Sequence, residues 1–159
     1  MAVVYLAGGL FNAGERLHNL FLERNLKALG HEIILPQREA LKFFKNGNLD
    51  LNKIREDCEA HSINLESICV MNADGADPDS GACVEYGMAI ATTGRAVVYR
   101  TDIRTAPEKE VGLNAMLQCK NTSYVYYMCS VTELNEIGKY YNELALKIHY
   151  AILGLVGTI

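Results

Sequence analysis

The sequence predicts an α/β protein, with a parallel sheet of about five strands flanked by helices. Three observations carry that reading. Short, β-rich apolar runs recur along the chain and alternate with longer segments of helical periodicity. Those runs are apolar throughout rather than alternating, as in strands covered on both faces. No internal repeat or linker interrupts the 159 residues, so one domain over 1–159 is expected, large enough for a core without disulfides or a structural metal.

The first strand is Ala2 to Ala7, closed by Gly8-Gly9. A helix from about Gly14 to Leu29 follows, with Leu17, Leu20, Phe21 and Leu22 as its apolar face and Gly30 beyond its end. Glu32 to Leu35 is the second strand, stopped by Pro36, with Gln37-Arg38 at its carboxyl end. A short helix is expected over Glu39 to Phe44, then a turn at Asn46-Gly47-Asn48. Asp50 can cap a helix running to Ser62, on which Ile54, Cys58 and His61 share a face. His61 there reads as packed or hydrogen-bonded rather than as a ligand.

Ile68 to Met71 is the third strand, and Ala96 to Tyr99 the fourth. The polar segment Arg100 to Gly112, with Asp102, Arg104 and Pro107, reads as a long loop that could act as a lid. Tyr124 to Met128 is the fifth strand. Ser130-Val-Thr-Glu133 has the form of a capping box for a long last helix, with Leu134, Ile137, Tyr141, Leu144, Ile148 and Ile152 at helical steps. The whole reads as a Rossmann/flavodoxin-like sandwich.

Composition narrows the function. Half of the residues are hydrophobic, 21% are charged and the net charge is −4. That lacks the basic stripe of a nucleic-acid binder. The five cysteines contain no Cys-x-x-Cys and lie mostly in apolar stretches, which reads as buried thiols in a reducing compartment. The four histidines are scattered, so no metal site is expected. No run approaches membrane-spanning length and no signal peptide opens the chain, which makes the cytoplasm the default. Gly8-Gly9-Leu10-Phe11-Asn12-Ala13-Gly14 is neither a dinucleotide fingerprint nor a P-loop; a glycine turn approached by a small ligand fits it better.

The stretch between the third and fourth strands carries the chemistry. An apolar run ends in a turn with Asp74, Asp77 and Asp79, and a helix then opens on small residues with one carboxylate, Glu85, in its second turn. Asp79 or Ser80 can cap that helix, and its dipole favours an ionised Glu85. A capped surface helix with an incidental glutamate has the same spacing. Ligands of open α/β sheets bind beyond the carboxyl ends of the strands, where this turn lies.

Asp77-Pro-Asp79-Ser-Gly81-Ala-Cys-Val-Glu85-Tyr-Gly87-Met-Ala89 resembles the active-site segment of the nucleoside 2-deoxyribosyltransferase family, roughly Asp-x-Gly-x-x-x-Glu-[hydrophobic]-Gly-x-Ala. The resemblance spans about residues 3 to 118. It implies that Glu85 is the nucleophile attacking the anomeric carbon, that Tyr5 orients it, and that Phe11 lines the pocket. Counting back from Asp79 puts the family's base-contacting acid, usually an aspartate, on Glu59; Asp57 is nearby but out of register. Leu113-Asn114-Ala115-Met116 resembles a segment whose asparagine enters a neighbouring subunit's site, which implies a homo-oligomer of at least two chains. The family's C-terminal carboxylate has no match in Gly154 to Ile159.

Base exchange on one face of the sugar needs two displacements: Glu85 attacks C1′ as the base departs, and a second base attacks the resulting ester. Asp79 is the first choice of proton donor, with Asp77 and Glu59 as alternates. Gly8, Gly9, Gln37 and Gly81 complete the expected binding residues. The expected ligands are deoxynucleosides and free nucleobases, with no metal or organic cofactor, no nucleic-acid polymer and no membrane. A hydrolase of deoxynucleosides or their 5′-phosphates is the alternative within the fold, and a non-catalytic nucleotide-sensing module the alternative outside enzymes.

Overall fold

A computed structural model describes residues 1–103 and 113–157. The strands are β1 (Val3–Ala7), β2 (Glu32–Ile34), β3 (Phe44–Lys45), β4 (Asn48–Leu49), β5 (Ser67–Asn72), β6 (Ala96–Arg100) and β7 (Thr122–Tyr126). The helices are α1 (Ala13–Ala28), α2 (Pro36–Glu39), α3 (Leu51–Ser62), α4 (Ser80–Thr93) and α5 (Ile137–Val156). Five strands form one parallel sheet in the order β2-β1-β5-β6-β7. Sequence order therefore reverses direction between β1 and β5, the switch point at which a doubly wound sheet opens a crevice for a ligand.

Alternate residues of each strand face opposite layers. Val4, Leu6, Ile68, Val70, Val97 and Tyr99 pack with Leu22 and Leu26 of α1 and with Leu144, Ile148 and Ile152 of α5. Tyr5, Cys69, Met71 and Val98 pack with Ala82, Tyr86 and Ala89 of α4. The small residues on α4 let that helix lie close to the sheet, which sets the depth of Glu85 beside β1.

Several boundaries differ from the sequence expectation. Leu17 and Leu20 are exposed, while Asn19 and Glu23 are buried on the packed face of α1. Glu23 is bonded there by Lys27 and Arg38, each at 2.7 Å. Pro36 opens α2 rather than only stopping β2, because its ring suits the first helical position. Asn46 and Gly47, at φ 52° and 82°, form the turn of a small β3–β4 hairpin. β7 starts two residues earlier than expected, its register fixed by pairing with β6. The box before α5 joins Glu133 and Glu136 rather than Ser130 and Glu133, leaving Leu134 exposed. Of the five free cysteines only Cys69 is buried, and Cys129 is exposed. The expected lid residues Arg104 and Pro107 lie outside the described residues. Among those described, no helix is long and apolar enough to cross a membrane.

Candidate active site

Tyr5 points from β1 toward α4, almost wholly buried, and its hydroxyl donates to Glu85 Oε1 at 2.6 Å. Asp79 caps α4 by accepting the Ala82 N–H at 2.9 Å, so the turn carrying Asp79 and the helix carrying Glu85 form one rigid unit. The sequence suggested that the helix dipole keeps Glu85 ionised. Burial outweighs it: the carboxyl is pushed up to about 7, first by desolvation and further by the Asp79 charge, against hydrogen bonds from Tyr5 and Cys58. Tyr5 is driven well above the ordinary phenol range by burial and by the Glu85 carboxylate, so it remains a protonated donor.

Helix α3 closes this side. Burial and the Glu85 charge push the Cys58 thiol up, and the His61 ring stacks on Tyr5 at 6.0 Å. His61 Nε2 lies 3.7 Å from Asp57 Oδ2. Glu59 sits on another side of the helix and pairs with Arg55 at 3.6 Å. At 100° per residue, Asp57 lies about 40° from His61 around the helix and Glu59 about 160°, while both flank Cys58 equally. Glu39, Asp57 and His61 bring donor atoms within 4.8 Å of one another, a grouping invisible to His spacing because two helices supply it. Lys42 already pairs with Glu39 there.

At the switch point a cleft of about 430 Å³ is lined by Gly9, Glu15, Asn72, Asp74, Gly75, Asp77 and Asp79. Its first wall is the turn after β1. Glu15 accepts the Phe11 and Asn12 N–H groups at 2.7 and 3.3 Å, and Asn12 returns a bond to Glu15 N. A Cβ on Gly9 would fall 2.7 Å from the Glu15 carboxyl carbon, and one on Gly8 3.1 Å from Asn72 Cβ. These glycines are required by close approach.

The second wall is the turn after β5, clamped from the end of β6. Arg100, 1% exposed, donates to Ala73 O at 3.0 Å and Gly75 O at 2.8 Å. Asp74 accepts from the Thr101 hydroxyl at 2.6 Å and the Asp102 N–H at 2.9 Å, and Asp102 accepts from Gly75 N at 3.0 Å. The sequence expectation puts both Arg100 and Asp102 in a loop; Asp102 does lie beyond the strand, whereas Arg100 is the last residue of β6. The available signal was an arginine ending an otherwise apolar strand, and it was missed.

The remaining expected residues divide. Asp77 is exposed on the cleft, and Gly81 keeps clear of the Asp79 capping oxygen, which a Cβ would approach to 3.1 Å. Phe11 is 79% exposed beside Gly9. Gln37 is buried, with its amide bonded to Asn19 and to the Arg16 carbonyl, so it braces α1. Asn114 caps a 3-10 turn at Ala115–Leu117 by accepting the Met116 N–H, and Met116 is 78% exposed.

Strand order and site together define a doubly wound α/β protein that presents a buried carboxylate–phenol pair and an acidic cleft at its switch point. Residues 4–124 match the family model "Nucleoside 2-deoxyribosyltransferase", and the chain belongs to that family. A conserved protein from Enterococcus faecalis V583 superposes with a TM-score of 0.67 at 19% identity, covering 94% of this chain and 98% of its own. A 2-deoxyribosyltransferase from Bacillus psychrosaccharolyticus superposes with a TM-score of 0.54 at 19% identity, covering 87% of this chain and 92% of its own. At that identity both likenesses establish the fold. The sequence has no significant match among curated proteins.

Proposed function

We propose that the protein transfers 2-deoxyribose between nucleobases through a covalent ester on Glu85, a nucleoside-salvage reaction of the cytoplasm. The observation that carries the reading is the 2.6 Å hydrogen bond from Tyr5 to Glu85. It holds one carboxylate oxygen and leaves the other as the attacking atom, with little orientation left to be lost in the transition state. Ionised Glu85 attacks C1′ of the deoxynucleoside as the C1′–N bond breaks, and the departing ring nitrogen takes a proton. Asp79, with one oxygen used in capping and the other unassigned, is the proton donor, and Asp77 is its alternate. A second base then attacks C1′, the ester C–O bond breaks, Glu85 leaves as carboxylate, and the incoming base's proton returns to Asp79. Two inversions give net retention.

The charge of the cleft supports a nucleoside over a nucleotide. Among the described residues that line it, four are acidic, Glu15, Asp74, Asp77 and Asp79, and none is basic. A 5′-phosphate dianion would meet repulsion there, whereas a nucleoside is nearly neutral. We extend the reading to a homo-oligomer in which Asn114 and Met116 serve a neighbouring copy's site.

Incubation with deoxyinosine and adenine, followed by chromatography, tests the proposal. Deoxyadenosine is the expected product, with deoxyinosine 5′-phosphate the poorer donor. Hypoxanthine released without deoxyadenosine would make the protein a hydrolase. An unchanged mixture would leave the sensing role.

A further inference from the structure

The turn that carries the two candidate acids, Asp77 and Asp79, is held by a residue that the transfer chemistry does not use. Arg100, the last residue of β6, is almost wholly buried. Its Nη1 donates to Ala73 O at 3.0 Å and its Nη2 to Gly75 O at 2.8 Å. Asp102 accepts the Gly75 N–H at 3.0 Å, so the end of β6 grips Gly75 on both sides. Asp74, between the two carbonyls, is fixed by the Thr101 hydroxyl and the Asp102 N–H. Ala73 N continues the sheet ladder to Tyr99 O at 2.9 Å.

That grip reaches the acids through a short stretch of stiff chain. Gly75 has φ 107°, and a Cβ there would fall 2.9 Å from Asp77 O, so the Asp77 carbonyl folds back over Gly75. Pro78 follows with its φ fixed by its ring, and Asp79 is anchored to α4 by its cap. The turn is therefore pinned at Gly75 and at Asp79, and only Ala76, Asp77 and Pro78 span the gap. A guanidinium buried against carbonyls costs desolvation that an apolar side chain of similar length would not, and the Arg100 Nε finds no hydrogen-bond partner among the described residues. Stability alone does not account for such a residue, whereas fixing the two carbonyls does.

We propose that Arg100 is a positioning residue that holds the Asp77–Asp79 turn where its acid reaches the ring nitrogen of the departing base. The proposal rests on the deoxyribosyl-transfer reading of the site. Tyr5 and Glu85 are joined to each other between β1 and α4, so losing Arg100 releases the turn and leaves that pair in place. The effect is selective: attack on C1′ is retained, and protonation of the leaving base is lost.

Initial rates with adenine as acceptor compare two donors, deoxyinosine and 7-methyl-2′-deoxyinosine. The methylated base is already cationic and departs as a neutral molecule, so it needs no proton. Arg100→Met is expected to lose about thirtyfold in kcat on deoxyinosine and less than about threefold on the methylated donor. Arg100→Lys, which keeps a charged donor for the carbonyls, should lose about fivefold on deoxyinosine and less than about twofold on the methylated donor. In a protein carrying Asp77→Asn and Asp79→Asn, adding Arg100→Met should cost less than about threefold, because the group it positions is gone. Thermal melts give the folded fraction of each variant, and the two donors compared in Arg100→Lys decide the question if Arg100→Met does not fold. No loss on deoxyinosine, equal losses on both donors, or the full loss in the protein without the two aspartates would overturn the positioning role while the transferase reading stands. A parent protein that makes deoxyadenosine from neither donor would overturn both.

Discussion

Replacing Glu85 by glutamine is expected to abolish deoxyribosyl transfer and, at pH 8, to make the protein more stable. Glutamine keeps the shape and can still accept from Tyr5, but it supplies no anion to form the ester. The loss is of a whole reaction path, about 10⁴-fold or more in kcat. The stability change follows from the carboxyl being pushed up to about 7 in the fold, from an ordinary value of 4.5. Between those pH values the native state holds more protons than the unfolded chain, so native stability falls as pH rises through the window. Above it, ionised Glu85 costs the fold roughly 3 kcal/mol, which glutamine does not incur. Activity assays paired with denaturant melts at pH 4.5 and pH 8 check both parts. The stability gap between variant and parent should be larger at pH 8; a gap that does not grow would mean that Glu85 is not desolvated.

Tyr5→Phe should be the second most damaging change, and its pH dependence is the informative part. The phenol holds the attacking carboxylate and also lowers its pKa, opposing the rise caused by burial. Without it, orientation is lost and a smaller fraction of Glu85 is ionised at neutral pH. A fall of about 10²-fold in kcat/KM at pH 7 is expected. Since the reactive form is the anion, kcat/KM of the parent should rise with pH through about 7, and in Tyr5→Phe that limb should move to higher pH. A pH–rate profile from 5.5 to 9 measures it. A limb that stays in place would show that Tyr5 does not act on the carboxylate.

What was readable from sequence was local. The apolar runs at Val3–Ala7 and Ile68–Met71 mark central strands because both of their faces are covered. Asp50 and Asp79 mark helix starts because a cap bonds only three residues ahead. Glu85 and Tyr5 were found through a motif, although the hydrogen bond between them spans 80 positions. What escaped depends on partners far away in the chain or on phase. Arg100 bonds carbonyls 27 and 25 residues distant, and nothing local announces them. Glu59 and Asp57 are two positions apart yet project about 160° from one another around a helix, so a count from a distant motif could not choose between them. Gln37 stands at a strand end, and its hydrogen-bond partner Asn19 comes from another helix, so the sequence does not show the bond. The protonation of Glu85 was misjudged for the same reason: the dipole is visible in sequence, while the desolvation that outweighs it is a property of the packed core.

The covalent ester is the centre of this account, and trapping it is the direct test. Fluorine at C2′ destabilises the cationic transition state for breakdown of the ester, so a 2′-fluoro-2′-deoxynucleoside should load the enzyme and then stall. Intact-protein mass spectrometry after that incubation is expected to show one added fluorodeoxyribosyl group, and peptide mapping to place it on Glu85 in the segment Asp79 to Ala89. A sugar attached to another carboxylate, or turnover of the unmodified nucleoside with no adduct forming from the fluorinated one, would contradict the mechanism.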